Sequence, residues 1–160
     1  MAQDRIFIKK YKKYKDKIYN YFWYRVNFNE ETAEDLCSEA FLRAFDKFDA
    51  FDREKKFQPW IYAIAKNCLL NYYRTLGREI NLNFAENIKF EEKARIEAKI
   101  EIEKIIRLIH TFDEYSKEIL LLKFIDQLTN SEIAQITKRN EGAVRTQISR
   151  ALVILRKKLK

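Results

Sequence analysis

With 160 residues, 47% of them hydrophobic and 35% charged, the chain can build one domain or two small helical ones beneath an ionised surface. Only two Gly and one Pro occur, which argues against sheet-rich folds, whose reversals consume turn residues, and for an all-α fold. The net charge of +8 suits a polyanion partner, because each neutralised phosphate releases counterions.

The charge is unevenly spread. Residues 1–78 carry net +5, residues 79–113 net −2 and residues 114–160 net +5, so two basic blocks flank a slightly acidic middle. Cys37 and Cys68 show neither CxxC nor Cys/His ligand spacing and read as buried, reduced thiols. The start, MAQDRIFIKKYKKYKDK, is too charged for a secretory signal, and no apolar run has the length of a membrane span. A cytoplasmic protein without membrane insertion is expected.

Residues 6–27 form the first expected helix, with Tyr11, Tyr14, Ile18, Tyr21, Phe22 and the stem of Arg25 recurring at three and four. Asn29 is a good N-cap for the next, and Glu30, Glu31 and Glu34 suit the positive end of its dipole. That second helix carries the clearest period: Ala33, Leu36, Cys37, Ala40, Phe41, Ala44, Phe45 and Phe48. Its other face holds Glu34, Asp35, Ser38, Glu39, Leu42 and Arg43, where the apolar Leu42 stands out as a contact candidate.

Residues 49–59 read as a polar loop whose closing Pro59 takes the first helical position of a third helix. This helix is expected to bury Ile61, Ile64, Ala65, Cys68, Leu69 and Tyr72 and to end near Gly77. Residues 78–90 are unpatterned. A charged helix follows from Glu91, amphipathic through Ile100, Ile105, Ile106, Leu108 and Ile109. Three shorter helices are expected at 114–127, 130–137 and 141–158. The domain division is therefore 1–78, a linker over 79–95, and 96–160.

The stretch NSEIAQITKRNEGAVRTQISRALVILRKKL has the pattern of a helix-turn-helix. Ala134 is small enough for close helix approach, Asn140 can cap the second helix, and Ile133, Ile136, Val144, Ile148 and Leu152 supply a shared core. The second helix turns Arg145, Thr146, Gln147, Ser149 and Arg150 away from Val144 and Ile148. Arg reads guanine edges and Gln adenine edges, so these residue types suit the major groove. Lys138, Arg139, Arg156, Lys157, Lys158 and Lys160 suit phosphates.

On these residues the sequence resembles the sigma-70 family of RNA polymerase sigma factors, of the extracytoplasmic-function (ECF) type. YSKEILLLKFIDQLTNSEIAQITKRNEGAVRTQISRALVILRKKL is similar to region 4, and EDLCSEAFLRAFDKFDAFDREKKFQPWIYAIAKNCLLNYYR to region 2 with its DL-x-x-E-x-FL-R signature. The resemblance implies that the helix at 141–158 enters the major groove of the −35 element. It implies that Asp35, Ser38, Glu39, Leu42 and Arg43 grip the β′ clamp helices of core RNA polymerase, with the β flap a further contact. Trp60, Tyr62, Lys66, Asn67, Tyr73 and Arg74 would hold and melt the −10 element, since unstacked bases lie on aromatic faces while cations follow the strand. An anti-sigma factor is a further candidate partner. Three departures stand out. Thr137-Lys138-Arg139 replaces the usual Leu-Gly-Ile, Ala143 a usual Thr, and Ser38 a usual Gln.

Three other functions compete with this one: a regulator without polymerase contact, a nucleic-acid enzyme and a plain helical scaffold. A helix-turn-helix regulator acting without core polymerase leaves the 35–43 face and the aromatic third helix without a task. A nucleic-acid enzyme is disfavoured, because the lone His110 sits in an apolar helix and no nucleophile–base pair or metal-spaced carboxylate cluster is apparent. No catalytic residue, metal or cofactor is expected.

Overall fold

The computed structural model describes residues 2–76 and the backbone from residue 96 onward, with side chains from 102 to 160. The expected linker, the Gly77 cap and the start of the fourth helix at Glu91 lie outside the described residues. The chain divides into two units, Met1–Lys89 and Phe90–Lys160. Among the described residues all regular structure is helical.

The first unit packs α1 (Ala2–Trp23), α2 (Glu30–Lys47) and α3 (Phe57–Leu76), with a 3₁₀ turn at Phe48–Ala50. Helix α1 begins earlier than its apolar spacing suggested, because Phe7 is a buried anchor, meeting Phe41, Phe45 and Phe48 edge-on at 5.2–6.5 Å. It ends at Trp23, not at residue 27. There Asn27 and Phe28 take left-handed backbone, with φ of 56° and 60°. The Phe28 N–H donates to the Trp23 carbonyl at 3.0 Å and the two rings lie 4.6 Å apart, which holds this uncommon geometry.

Ile18, Tyr21 and Phe22 are fully buried, as their spacing predicted, whereas Tyr11 is largely exposed and only edges onto Phe41. Arg25 is buried. Its guanidinium donates to the Tyr21 carbonyl at 2.9 Å and lies 3.8 Å over the Tyr21 ring, so the charge is stacked and bonded inside the unit.

In α2 the Asn29 carboxamide oxygen accepts the Thr32 N–H at 3.0 Å, the expected cap. Ala33, Leu36, Ala40, Phe41 and Ala44 are buried. Phe45 was expected in this stripe but turns about half to solvent, since it lies at the stripe's edge. Cys37 is half-buried, its thiol donating to the Lys15 carbonyl, while Cys68 is buried. Desolvation first, then Asp16 beside Cys37 and Glu39 beside Cys68, push both thiols up to about 11. Neither is a ready thiolate at neutral pH.

Helix α3 starts two residues ahead of Pro59. The proline occupies the third helical position, where an N–H has no partner within the helix in any case. Phe57, Ile61, Tyr62, Ile64, Ala65, Cys68 and Leu69 are buried, but Tyr72 is only partly so.

The second unit contains α4 (Ile96–His110), α5 (Glu114–Leu120), a π-helical turn (Leu121–Ile125), α6 (Asn130–Thr137) and α7 (Glu141–Leu159). The single helix expected at 114–127 is thus interrupted. The wide turn keeps Leu121 and Leu122 in the core and is closed by Gln127 at φ 58°. Asp113 caps α5, accepting the Ser116 N–H and hydroxyl at 2.9 Å each. These bonds hold its carboxyl below the usual range.

Helix α6 opens with a reciprocal capping box. The Thr129 hydroxyl oxygen accepts the Glu132 N–H at 3.1 Å, and a Glu132 carboxylate oxygen accepts the Thr129 N–H at 3.2 Å. The helix stops at Lys138, whose φ of 57° and ψ of 42° are left-handed. This is the position where the resemblance leads one to expect Gly, so the backbone keeps the turn although the residue has changed. Between α6 and α7 lie Ile133, Ile136, Val144 and Ile148. Leu152, expected among them, is only half-buried, and Ala151 and Leu155 complete the stripe.

Two substitutions test this local account by urea unfolding. Thr129→Ala should destabilise by about 1 kcal/mol through loss of the cap. Lys138→Gly should stabilise by up to about 1 kcal/mol, because a β-carbon is disfavoured in left-handed backbone. Destabilisation by the glycine would contradict the assigned turn.

Candidate functional site

Each helix that buries one stripe leaves another to solvent, and three such faces carry the candidate residues. On α2, Asp35, Ser38 and Leu42 are exposed and Glu39 and Arg43 half-exposed. At 67% exposure Leu42 is the most open large apolar side chain among the described residues. Glu39 and Arg43 pair across one turn at 2.6 Å. The result is an apolar knob in a charged frame, extended by the half-open Phe45 beside it.

The outer face of α3 is more mixed. Trp60, Asn67 and Arg74 recur every seven residues and so lie along one line of the helix. Asn67 and Arg74 are exposed. Trp60 is partly covered by an aromatic cluster, with ring centroids 4.6 Å from Phe51, 5.5 Å from Phe57 and 6.3 Å from Phe48. Lys66 is half-buried. Tyr73 is half-buried too, its hydroxyl donating to the Arg25 carbonyl. Tyr62 differs: at 1% exposure, edge-on to Tyr21 at 5.5 Å, it belongs to the core and presents no face to a base. Its aromatic ring suggested a base-facing role, but the helical period places it with Leu69.

On α7 the Asn140 side chain accepts the Gly142 N–H at 2.7 Å and the Ala143 N–H at 3.4 Å. A β-carbon at residue 142 would stand 3.0 Å from that oxygen, which explains the glycine in this tight cap. Arg145, Thr146, Ser149 and Arg150 are exposed on the side away from Val144, Ile148, Ala151 and Leu155. Arg145 is loosely held by Glu141 at 3.6 Å, both well exposed, so the pair is weak and the guanidinium can leave it.

Gln147 does not share that freedom. It is half-buried and donates to the Ser116 hydroxyl at 2.6 Å, while Ser116 in turn is bonded to Asp113. Ser116 and Asp113 escaped sequence reasoning because nothing local marks a bond 31 residues long.

Lys138 and Arg139 are exposed in the turn, and the Arg139 guanidinium lies 4.0 Å over the Tyr115 ring. Arg156 and Lys157 are exposed near the end of α7. Lys158, also a phosphate candidate from sequence, donates to the Thr111 hydroxyl at 2.7 Å and covers the Phe112 ring. Among the described residues no group of His, Cys, Asp and Glu could hold a metal, and no helix is long and apolar enough to cross a membrane.

The sigma-70 region 2 model matches residues 11–79 and the sigma-70 region 4 model residues 102–155. The chain is 34% identical to the ECF RNA polymerase sigma factor SigW of Bacillus subtilis (strain 168), over 92% of this chain and 85% of that protein. It is 25% identical to the RNA polymerase sigma factor YlaC of the same organism, over 93% and 89%. Among solved structures, the sigma factor RpoE in complex with the anti-sigma factor NepR from Bartonella quintana shares the fold with a TM-score of 0.73 at 18% identity, over 97% of each chain. CnrH in complex with the cytosolic domain of CnrY gives 0.74 at 21%, over 98% of this chain and 88% of that one. With both regions present in order and a relative this similar along nearly its whole length, the chain belongs to the sigma-70 family as an ECF-type RNA polymerase sigma factor.

Proposed function

We propose that this sigma factor divides its work among the three faces just described. The outer face of α2 (Asp35, Ser38, Glu39, Leu42, Arg43) grips the β′ clamp helices of core RNA polymerase. The outer face of α3 (Trp60, Lys66, Asn67, Tyr73, Arg74) holds opened −10 DNA. Helix α7 lies in the major groove of the −35 element. The observation that carries this division is that each face is left open by a helix whose other side is already committed to its own core.

On α7, Arg145, Thr146, Ser149 and Arg150 are the groove residues, with Lys138, Arg139, Arg156 and Lys157 on phosphates. Gln147 acts differently in this reading. Its bond to Ser116 sets the rotation of α7, and base reading falls to its exposed neighbours.

The factor carries no chemistry of its own. It contributes binding energy to placing and opening the promoter, and the polymerase supplies the catalysis. Its place of work is the cytoplasm, where polymerase and chromosome are. The RpoE and CnrH structures were each solved with a bound partner, an anti-sigma factor and the cytosolic domain of CnrY. An anti-sigma protein that covers the same open faces is accordingly proposed for this chain. A helix-turn-helix regulator independent of polymerase is not favoured, because the region 2 match occupies the first half of the chain.

Leu42→Asp and Glu39→Lys should each weaken association with core polymerase at least tenfold with the helical circular-dichroism signal unchanged; undiminished association would remove the α2 assignment. For Arg145→Ala, promoter binding by the holoenzyme should fall by about 1–3 kcal/mol with relaxed preference at one base pair. An equal loss on every sequence would make Arg145 a phosphate contact.

A further inference from the structure

The run KKYKKYKDK at 9–17 holds six lysines and one aspartate, and it belongs to none of the three faces. Lys9, Lys13 and Lys17 recur every four residues, so their heads lie along one line of α1, about 6 Å apart along the axis. All three are exposed, and Lys10 stands beside the line.

The direction in which this ridge points is fixed by its contacts. The Lys10 ammonium lies 5.8 Å over the Phe57 ring, and the Lys17 ammonium is 3.4 Å from the Gln58 carboxamide oxygen. Both partners belong to the first turn of α3. That turn contains no acidic residue, so the positive end of the α3 dipole adds to the field instead of being neutralised. The preceding loop contributes exposed Lys55 and Lys56. Among the described residues, Lys9, Lys10, Lys13, Lys17, Lys55 and Lys56 form no ion pair. Phe51, Phe57 and Trp60 supply aromatic faces at the same end of the unit.

We infer that the Lys9–Lys13–Lys17 ridge of α1 is a phosphate track that carries the opened DNA strand onward from the aromatic end of α3. Cations in a regular row beside aromatic faces are the arrangement that follows a single strand without reading its sequence. An acidic protein surface would be served by the charges alone and has no use for the neighbouring rings. The assignment rests on the proposal that α3 holds opened DNA, and it extends the bound strand beyond α3.

The test uses holoenzyme reconstituted from the full chain and core polymerase, with a fluorescein-labelled, mixed-sequence single-stranded DNA as probe across a potassium chloride titration. The triple variant K9Q/K13Q/K17Q should bind the strand at least tenfold more weakly. Its log–log salt slope should be shallower by roughly 2, the release expected from three single-strand phosphate contacts. The K9R/K13R/K17R variant should restore both. Binding of core polymerase by the triple variant should match that of the unaltered chain.

An unchanged slope and affinity, while Asn67→Ala/Arg74→Ala loses the strand, would overturn the ridge and leave α3 standing. Loss of core binding in place of strand binding would assign the ridge to a protein surface and overturn the inference. A holoenzyme that binds the strand no better than core alone would overturn the ridge and the α3 assignment together.

Discussion

Burial of a single apolar stripe per helix is the constraint that arranges the rest of this chain. In the first unit the stripes of α1, α2 and α3 close on one another through Ile18, Tyr21, Phe22, Ala40, Phe41, Ile61 and Tyr62. In the second, Ile106, Ile119, Leu120, Ile133, Val144 and Ile148 do the same. Small units of this kind have little apolar surface to spare. Once the core is closed, the remaining arc of each helix is available for partners, and the proposed polymerase and promoter contacts fall on those arcs.

The two units solve the problem of rigidity differently. The first relies on aromatic rings set edge to face, with Phe7, Phe41, Phe48, Phe57 and Trp60 in one continuous group. The second relies on caps and short polar bonds: Asp113, Thr129 with Glu132, and Asn140 each fix a helix start. The Gln147–Ser116 bond then ties α7 to α5. In the proposed reading α7 presents four side chains to base edges, and these bonds restrain its rotation.

Much of this was legible in the sequence. The i, i+3, i+4 period located α2 and its solvent face, and Asn29, Asp35, Leu42, Asn140 and Arg145 stand where spacing put them. What was misjudged depends on neighbours in space. Phe7 was passed over because it precedes the evident period of α1, and Phe45 was overcounted because a stripe one position too wide still looks periodic. Pro59 suggested a helix start, yet a proline is tolerated anywhere among the first unpaired N–H groups. The π turn at Leu121–Ile125 has no local signature, since its residues are good helix formers. Tyr62 and Gln147 were chosen by residue type. Burial against Tyr21 decided the first, and a bond to a serine 31 positions away decided the second.

The departures from the family pattern are absorbed locally. Lys138 adopts the left-handed turn that a glycine would take more easily, and Ala143 hands its N–H to Asn140. In the proposed reading promoter choice rests with the exposed side chains of α7, and its most direct test is run-off transcription by core polymerase on fragmented genomic DNA. Adding the purified chain should create a set of start sites absent with core alone, sharing two short sequence blocks at a fixed separation upstream. No new start sites, or sites sharing no such pair of blocks, would contradict it.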